Sequence, residues 1–266
     1  MKTALTIAGS DSSGGAGIQA DLKVFTVLGV YGMTAITAIT AQNTLGVKDV
    51  LELDPELVRK QIDAVAGDIS VDACKTGMLA NRAIIEVVED CISRSKLSPY
   101  VCDPVMVSKS GDKLLKSDAI DAMKKRLFPL ASVVTPNRRE AAALMGVDRI
   151  EPSIPLAKDA CKRILDTGAK AVVIKAIEQN DQMVDLLYNG VEFLEFAAGT
   201  QPKEKTHGSG CAFSAAITAG LARQMTLVDA VDQAKQMVTH AIQYGDGQGR
   251  GTTPVNVLAW SPKVKK

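Results

Sequence analysis

Short apolar runs alternate with longer segments of helical periodicity along most of the chain. Runs such as ALTIA (4–8), TAITAITA (34–41) and AVVIKA (171–176) are apolar nearly throughout, as expected of strands that are buried on both faces. Between them, segments such as GIQADLKVFTVLG (17–29) place apolar residues every three or four positions, which is the pattern of an amphipathic helix. Alternation of this kind predicts a mainly parallel sheet covered by helices on both faces.

The same pattern predicts the remaining elements. Further strands are expected at 71–76, 100–105 and 131–135, and helices at about 55–66, 80–94, 118–127, 138–145 and 157–167, with two long helices that start near Ser209 and Leu227. The turn Asn189-Gly190 joins two short strand patterns and predicts an antiparallel hairpin. Because no Pro-, Gly- or Ser-rich linker divides the chain, residues 1–266 are expected to form a single three-layer α/β/α domain.

The composition narrows the class of protein. The 266 residues are 46% hydrophobic and 23% charged, with a net charge of +1 and only 4% aromatic residues, so the chain has no basic surface for nucleic acid or an anionic membrane. Five scattered cysteines without a C-x-x-C pair favour a reducing compartment and no structural zinc. The first apolar run is too short for a signal peptide, and no run approaches the roughly 20 apolar residues of a membrane span. These features predict a cytoplasmic protein.

In open α/β folds ligands bind at the carboxyl ends of the strands, so the residues that follow each strand are the candidates. The loop GSDSSGGAG (9–17) lacks the lysine of a Walker A motif. Residues 15–20 match G-x-G-x-x-A, the dinucleotide motif of oxidoreductases, but no Asp or Glu lies within 23–48 to hold the ribose. A pocket lined by loop backbone is the better interpretation. Asp21, one helical turn further on, belongs to that pocket or is an ordinary exposed helix acid.

Amides and a methionine follow the next strands. Gln42 and Asn43 end an apolar strand, where they either make local turn hydrogen bonds or present a planar donor–acceptor pair to a planar heterocycle. Met78, after CKTG, is either ordinary core or a polarizable wall against an aromatic ligand.

Charged residues follow the later strands. Asp103 and Glu140, with Asn137, come after two neighbouring strands, and two carboxylates at such positions suit Mg²⁺. Glu140 is alternatively a first-turn acid favoured by the helix dipole. Lys175 ends an apolar strand and would be costly to bury unpaired, so it is expected to contact either a phosphate or a nearby acid.

The stretch THGSGC (206–211) places small residues and a cysteine where a helix begins. It is either a tight turn with a buried cysteine or a set of free backbone amides that binds an anion, in which case the helix dipole would favour a thiolate at Cys211. His240 has no companion at metal-ligand spacing, so zinc is not expected. The stretch also lacks the G-x-S-x-G pattern of a serine hydrolase.

Together these motifs resemble those of hydroxymethylpyrimidine and phosphomethylpyrimidine kinases of thiamine biosynthesis, in the ribokinase-like superfamily. The resemblance rests on LTIAGSDSSGGAGIQADLK, AQNTLGV, KTGML, DPVM, TPN with Glu140, and THGSGC followed by FSAA, and it extends from Met1 to about Trp260. It implies a ribokinase-like α/β/α fold with a mostly parallel central sheet and a homodimer. It also implies ATP with Mg²⁺ as the phosphoryl donor and a small pyrimidine as the acceptor.

The resemblance also implies roles for individual residues. The pyrimidine would lie among Ala16, Asp21, Gln42, Met78 and Val105. Gly208, Ser209 and Gly210 would form an anion hole, with Cys211 in place of the aspartate base of related sugar kinases. ATP would be bound by Asn137, Lys175, Thr206 and Gly208, with Lys175 on the transferring phosphate. Asp103 and Glu140 would organise Mg²⁺, and residues 106–113 would form a mobile flap.

One stretch departs from the family pattern. The family usually continues the lysine strand as K-G-G-H, whereas this chain has Ala176, Ile177 and Glu178 after Lys175, so the ATP end of the site is expected to differ in detail. The nearest alternative function is a pyridoxine or pyridoxal kinase, a group that commonly lacks the glutamine found here at Gln42. A nicotinamide oxidoreductase and a non-catalytic binding module are the alternatives from other classes.

Overall fold

A computed structural model describes residues 1–106 and 117–260 of the chain. The strands in the described residues are β1 (Thr3–Asp11), β2 (Tyr31–Asn43), β3 (Gly46–Glu52), β4 (Ala73–Thr76), β5 (Tyr100–Cys102), β6 (Val133–Val134), β7 (Val172–Gln179), β8 (Gln182–Tyr188) and β9 (Phe193–Gly199). They form one sheet in the order β3-β2-β1-β4-β5-β6-β7-β8-β9. The six central strands of this order, β2-β1-β4-β5-β6-β7, are paired in parallel. This arrangement confirms the predicted fold class.

Antiparallel pairs close both edges of the sheet. β8 pairs with β7 and β9 pairs with β8, so the predicted hairpin is confirmed. At the other edge β3 pairs antiparallel with β2, and this strand was not predicted. None of the seven residues of β3 is buried, so its sequence GVKDVLE carries no alternation of apolar and polar positions.

The helices are α1 (Gly17–Val27), α2 (Pro55–Ala66), α3 (Arg82–Arg94), α4 (Ser117–Ala122), α5 (Arg138–Met145), α6 (Ile154–Leu165), α7 (Ser209–Ala222) and α8 (Leu227–Gln243). A π-helical turn, Met123–Leu127, continues α4. Within the ranges described, no helix combines the length and hydrophobicity needed to cross a membrane.

Two apolar cores lie on opposite faces of the sheet. In β7, Val172 and Ile174 join the core beneath α2 to α6, whereas Val173 joins the core beneath α1, α7 and α8, as the alternation of side chains along a strand requires. Helices therefore cover both faces, and α1 and α7 begin beside the carboxyl ends of the parallel strands. That edge of the sheet is where the sequence places its candidate residues.

Candidate active site

The loop after β1 is organised by the carboxylate of Asp11. One oxygen of Asp11 accepts hydrogen bonds from the amide and the hydroxyl of Ser13, both at 2.8 Å. The other accepts from the Ala16 amide at 2.8 Å and lies 3.0 Å from His207 Nε2. Burial opposes the charge, but the hydrogen bonds from His207 and Ser13 outweigh it and lower the pKa of Asp11 to about 2. Asp11 is therefore a permanent anion that holds the Asp11–Ala16 loop against the segment before α7.

Gly208 allows this loop and the start of α7 to approach each other closely. Its φ is +75°, and a Cβ atom on Gly208 would lie 1.8 Å from the Gly15 carbonyl oxygen and 3.4 Å from the Ala16 Cα. A side chain at position 208 would meet backbone that cannot move aside, so glycine is required there. The structure thus brings Ala16 next to Gly208, as the predicted site needs.

Asp103, directly after β5, and Lys175, in the middle of β7 and not at its end as predicted, form a buried ion pair. Lys175 Nζ lies 3.0 Å from Asp103 Oδ1, which also accepts from the Thr135 hydroxyl at 3.3 Å. The Ser214 hydroxyl, one turn into α7, donates to Asp103 Oδ2 at 2.9 Å. The acid partner expected for Lys175 is therefore present, and it is the predicted metal residue Asp103.

Lys175 also lies against the first turn of α7. A Cβ atom on Gly210 would be 3.4 Å from Lys175 Nζ. Burial disfavours the ammonium, but the carboxylates of Asp103 and Glu140 outweigh it and hold the pKa of Lys175 above its ordinary value. Amides in the first turn of a helix lack intrahelical acceptors. The Ser209 amide donates to the Thr206 carbonyl instead, and the amides of Gly210 and Cys211 stand beside this fixed positive charge. This combination can bind an anion such as a phosphate.

Asn137 and Glu140 form a capping box at the start of α5. The Asn137 side chain accepts hydrogen bonds from the amides of Arg139 and Glu140, and the Glu140 carboxylate accepts from the Asn137 amide at 2.8 Å. Asn137 also pairs with Lys175 as an isolated bridge beside β7. Glu140 is thus a first-turn acid of α5, and its carboxylate also lies near the Lys175 ammonium. The two interpretations of Glu140, as a helix acid and as a residue that helps to hold Mg²⁺, are therefore compatible with each other.

Cys211 is half-buried in the first turn of α7. Burial raises the pKa of its thiol to about 12, although the Lys75 ammonium acts in the opposite direction. Burial therefore outweighs the influences that favour a thiolate at this position. Cys211 is a neutral thiol at neutral pH.

Asp21 lies beneath the site and not on its surface. The carboxylate has no solvent exposure, and it accepts from Lys75 Nζ at 2.8 Å and from the Thr6 hydroxyl at 2.6 Å. With both oxygens engaged by buried partners, Asp21 supports the site from below. The alternative interpretation of Asp21 as an exposed helix acid is wrong, because its side chain has no solvent exposure.

Gln42 lines a cavity of about 250 Å³ together with Asn43 and His207. The backbone of Gln42 exchanges two hydrogen bonds with the Ser12 hydroxyl, at 2.7 and 2.9 Å, so the end of β2 is tied to the Asp11–Ala16 loop. The Gln42 side-chain oxygen accepts from Thr40 at 3.2 Å. Gln42 thus makes the local contact and also faces a cavity that can hold a small molecule.

The other predicted residues lie around the same edge. Met78 is buried, and a Cβ atom on Gly9 would be 3.2 Å from its sulfur. Val105 is half-buried and follows Asp103, and the Thr206 carbonyl accepts from the Ser209 amide at 3.2 Å. The predicted flap 106–113 lies outside the described residues apart from Met106.

Sequence reasoning missed four residues that build this site: Asp11, Lys75, His207 and Ser214. Lys75 stands inside the apolar strand ACKT, where a charge needs a partner, and that signal was available in the sequence. The contact between Asp11 and His207 joins residues that are 196 positions apart, and neither residue matches a motif that would predict it.

Comparison with known proteins gives consistent results. The sequence matches the family model for phosphomethylpyrimidine kinase over residues 11–256. It is 47% identical over 253 residues to the hydroxymethylpyrimidine/phosphomethylpyrimidine kinase of Rhizobium meliloti. The alignment covers 93% of this chain and 94% of that protein.

Solved structures with the same fold include two kinases. The pyridoxal kinase from Staphylococcus aureus in complex with ADP superimposes with a TM-score of 0.91 at 40% identity, over 99% of this chain and 96% of that one. The phosphomethylpyrimidine kinase from Clostridium difficile superimposes with a TM-score of 0.80 at 41% identity, over 91% of this chain and 100% of that one.

Proposed function

This chain belongs to the phosphomethylpyrimidine kinase family, and from that premise we propose a division of labour among the residues of its active site. The enzyme is an ATP-dependent kinase of thiamine biosynthesis. It phosphorylates the alcohol of 4-amino-5-hydroxymethyl-2-methylpyrimidine and then converts the monophosphate into the diphosphate. The observation that carries the assignment of roles is the Lys175 ammonium beside Gly210, at the start of α7.

Phosphoryl transfer takes place at the first turn of α7. The reaction depends mainly on alignment and on neutralising the negative charge that spreads over the transferring group. The anion hole is formed by Gly208, Ser209 and Gly210, and Lys175 supplies a fixed positive charge next to it. Because these residues are small, a phosphate can approach the backbone closely.

Cys211 acts at the acceptor oxygen as a neutral thiol. With a pKa of about 12, it can hydrogen-bond to the alcohol, but it is a poor base at neutral pH. A weak base suffices, because in a loose transition state the acceptor contributes little bonding and its proton is lost late. In the second step the acceptor is already a phosphate anion, so that step needs little deprotonation.

The pyrimidine occupies the cavity beside Gln42. The Gln42 amide offers one donor and one acceptor to the ring nitrogen and the 4-amino group. Ala16, Met78 and Val105 are not among the residues that line that cavity, and we place them around the far side of the bound ring. Asp21 lies beneath this side of the site, where it is paired with Lys75.

ATP lies on the opposite side of the anion hole. Asn137 and Thr206 flank it, since Asn137 is bridged to Lys175 and Thr206 opens the turn that leads to Gly208. The ATP contacts differ in detail from the family pattern at Ala176, which has a left-handed φ of +58°, a conformation that the family's glycine adopts without strain.

Magnesium fits this site only together with the phosphates of ATP. The two oxygens of Asp103 already accept from Lys175 and Ser214, and no group of three His, Cys, Asp or Glu side chains suited to a metal occurs within residues 1–106 and 117–260. Mg²⁺ usually takes few protein ligands and keeps several waters. Asp103 and Glu140 would hold such an ion through its waters, and the ion would neutralise phosphate charge.

A homodimer is supported by the exposed edge of the sheet. Ile39 of β2 and Leu51 of β3 lie opposite each other in the strand register and are 48% and 63% exposed, so they form an apolar patch that a second copy of the chain can cover. All five cysteines are free thiols, in keeping with a reducing cytoplasm.

Replacing Gln42 tests the choice of substrate, which matters because solved structures of similar fold include pyridoxal kinases. Pyridoxal kinase activity is therefore the second candidate function. A buried polar group without a partner costs about 1–3 kcal/mol, equivalent to roughly 5- to 150-fold in rate. Gln42→Met should lower kcat/KM for hydroxymethylpyrimidine by that factor and leave pyridoxal turnover level or improved.

The measurement is ATP consumption with each acceptor, with products separated by chromatography. Gln236→Met changes an exposed glutamine on α8 and should leave both rates unchanged. A wild-type enzyme that prefers pyridoxal would favour the second candidate. A Gln42→Met enzyme with the parental preference would show that Gln42 does not select the pyrimidine.

A further inference from the structure

An ion pair with no solvent exposure lies beneath the start of α7. Lys75 Nζ is 2.8 Å from Asp21 Oδ1, and both side chains are fully buried. The Thr6 hydroxyl donates to the second oxygen of Asp21 at 2.6 Å. Within the described residues, Asp21 is the one acceptor within hydrogen-bond distance of Lys75 Nζ, although an ammonium has three donors. The positive charge is therefore held in place without being fully satisfied.

The topology directs this charge toward Cys211. In β4, Ala73 belongs to the core beneath α1, α7 and α8, and Cys74 belongs to the opposite core, so the alternation of the strand places Lys75 on the α7 side. Asp21 lies one turn beyond Gly17 in α1, and the start of α1 approaches the start of α7 so closely that a Cβ atom on Gly208 would lie 3.4 Å from the Ala16 Cα. The ion pair and the thiol thus belong to one cluster at the junction of α1, β4 and α7.

Within the described residues, charged groups from each surrounding element act on the thiol: Lys75 of β4, Asp21 of α1, Asp103 directly after β5 and Lys175 of β7. Among the charges that act on Cys211, Lys75 has the largest influence and favours the thiolate, whereas Asp21 and Asp103 oppose it. Burial disfavours the Lys75 ammonium, but the carboxylates of Asp21 and Asp103 outweigh it and hold the pKa of Lys75 above its ordinary value. Lys75 remains charged.

Stability alone does not account for such a pair. Apolar side chains of similar volume often replace a buried ion pair without loss of stability, because desolvation offsets the attraction between the charges. A buried ammonium next to a reacting centre can instead contribute to catalysis, because a fixed charge stabilises the opposite charge that develops in the transition state.

We propose that Lys75 is a positioning residue for phosphoryl transfer: held by Asp21 beneath α7, its ammonium stabilises negative charge that develops at Cys211 and on the acceptor oxygen beside it. The proposal rests on the proposed function only in taking the start of α7 as the transfer site. Its direct consequence concerns the thiol and is measurable without turnover.

The test is the rate at which iodoacetamide alkylates Cys211 across a range of pH. In this reaction the thiol loses its proton to solvent, the sulfur–carbon bond forms and iodide leaves. The four other cysteines are buried, so peptide mapping by mass spectrometry follows Cys211, and Cys211→Ala identifies its signal. Lys75→Gln removes the charge while its amide can still donate to Asp21.

The expected effect is a slower reaction. An opposite charge nearby shifts a pKa by about one unit or more, and losing it lowers the thiolate fraction about tenfold. The less acidic thiolate is about threefold more nucleophilic, so alkylation slows by a net factor of about 3 or more. The midpoint of the pH profile moves upward. A site that had merely loosened would be alkylated faster.

Lys235→Gln is the matched control. Lys235 is also a buried lysine with a carboxylate partner, 3.2 Å from Asp185, but it lies between α8 and β8. Its loss should leave the alkylation of Cys211 unchanged. If Lys75→Gln does not fold, Lys75→Met combined with Asp21→Asn removes both charges and should slow alkylation by a smaller factor, because Lys75 acts on the thiol more strongly than Asp21.

An unchanged or faster alkylation in a folded Lys75 variant would overturn the proposal. In the kinase assay the same variant should lower kcat and leave KM for ATP within about twofold, because an interaction made only in the transition state is lost. If the wild-type enzyme does not phosphorylate hydroxymethylpyrimidine, the proposed function fails, while the alkylation comparison still decides the role of Lys75.

Discussion

At the scale of single residues, four hydrogen-bond donors converge on the Asp11 carboxylate, two from Ser13 and one each from Ala16 and His207. Such convergence favours the anion more than hydrogen bonding to water would. The carboxylate orders the loop that contacts both Gln42 and Gly208, so the same charge affects the stability of the fold and the shape of the site.

The lowered pKa of Asp11 predicts a dependence of stability on pH. Because its folded pKa, about 2, lies below the ordinary value of 3.8, the stabilisation is complete above about pH 4 and is lost as the pH falls toward 2. The difference between these two pKa values corresponds to about 2 kcal/mol of stability. Asp11→Asn should therefore lower the free energy of unfolding by about 2 kcal/mol at pH 7, and the difference from wild type should shrink at acidic pH.

Urea unfolding followed by circular dichroism measures this difference between about pH 7 and pH 2.5. Asp54→Asn is the control, because Asp54 caps α2 at an exposed position where asparagine caps equally well. A difference between Asp11→Asn and wild type that stays constant over the whole pH range would show that the ionised carboxylate is not the source of the stability.

At the scale of elements, the middle of β7 combines a left-handed residue with a buried ion pair. Ala176 has a φ of +58°, and its amide donates to Asp185 Oδ1 at 2.7 Å. Asp185 is paired with Lys235 at 3.2 Å, and the pairing of β7 with β8 shifts between Ile174 and Ile177. The irregularity lies directly after Lys175, so it fixes where the strand presents its lysine.

Ala176→Gly should stabilise the protein. A left-handed conformation costs an L-residue about 1–2 kcal/mol, and glycine adopts it freely. After the greater entropy of unfolded glycine is subtracted, a gain of about 0.5–1 kcal/mol is expected, measured by urea unfolding. The control Ala197→Gly, at an exposed position of β9 in register with Val184, should lose about 0.5–1 kcal/mol. Equal losses in both variants would mean that Ala176 is not strained.

The elements with clear local signals were predicted with their bounds. Helix α2 has a proline at its start and an Asp cap, and α5 has a capping box and a left-handed Gly146 after its end, so their sequences define both ends. The start of α6 at Ile154 was placed three residues late, because its first turn contains a proline and no side-chain cap. Strand β3 was missed, since only its pairing with β2 defines it.

At the scale of the whole molecule, the sheet determines which parts of the active site the sequence could reveal. Asp103, directly after β5, and Gln42, among the last two residues of β2, were predictable because parallel strands end at a common edge, whereas Lys175 lies inside β7, which continues to Gln179. The contacts that join distant segments were not, since the partner of Asp11 depends on how α7 meets α1. Lys75 and Asp21 are paired for the same reason, through the packing of α1 on the sheet.

The exposed apolar patch of Ile39 and Leu51 predicts the oligomeric state. Burying an apolar side chain contributes about 1.5–3 kcal/mol, and a twofold interface contains every residue twice. Leu51→Lys should therefore raise the dissociation constant of the homodimer by at least about 100-fold. Because Leu51 is 63% exposed in the single chain, its replacement should leave the folded subunit intact.

Sedimentation equilibrium at micromolar protein distinguishes the outcomes. The wild type should behave as a dimer and Leu51→Lys as a monomer, with unchanged circular dichroism. Val191→Lys is the matched control, since Val191 is 90% exposed in the turn between β8 and β9, far along the sheet order from β3, and it should remain dimeric. A Leu51→Lys protein that stays dimeric would move the interface elsewhere. In that case the patch on β2 and β3 would remain open to water, and its cross-strand contact between Ile39 and Leu51 would serve only to hold the unburied strand β3 on the sheet.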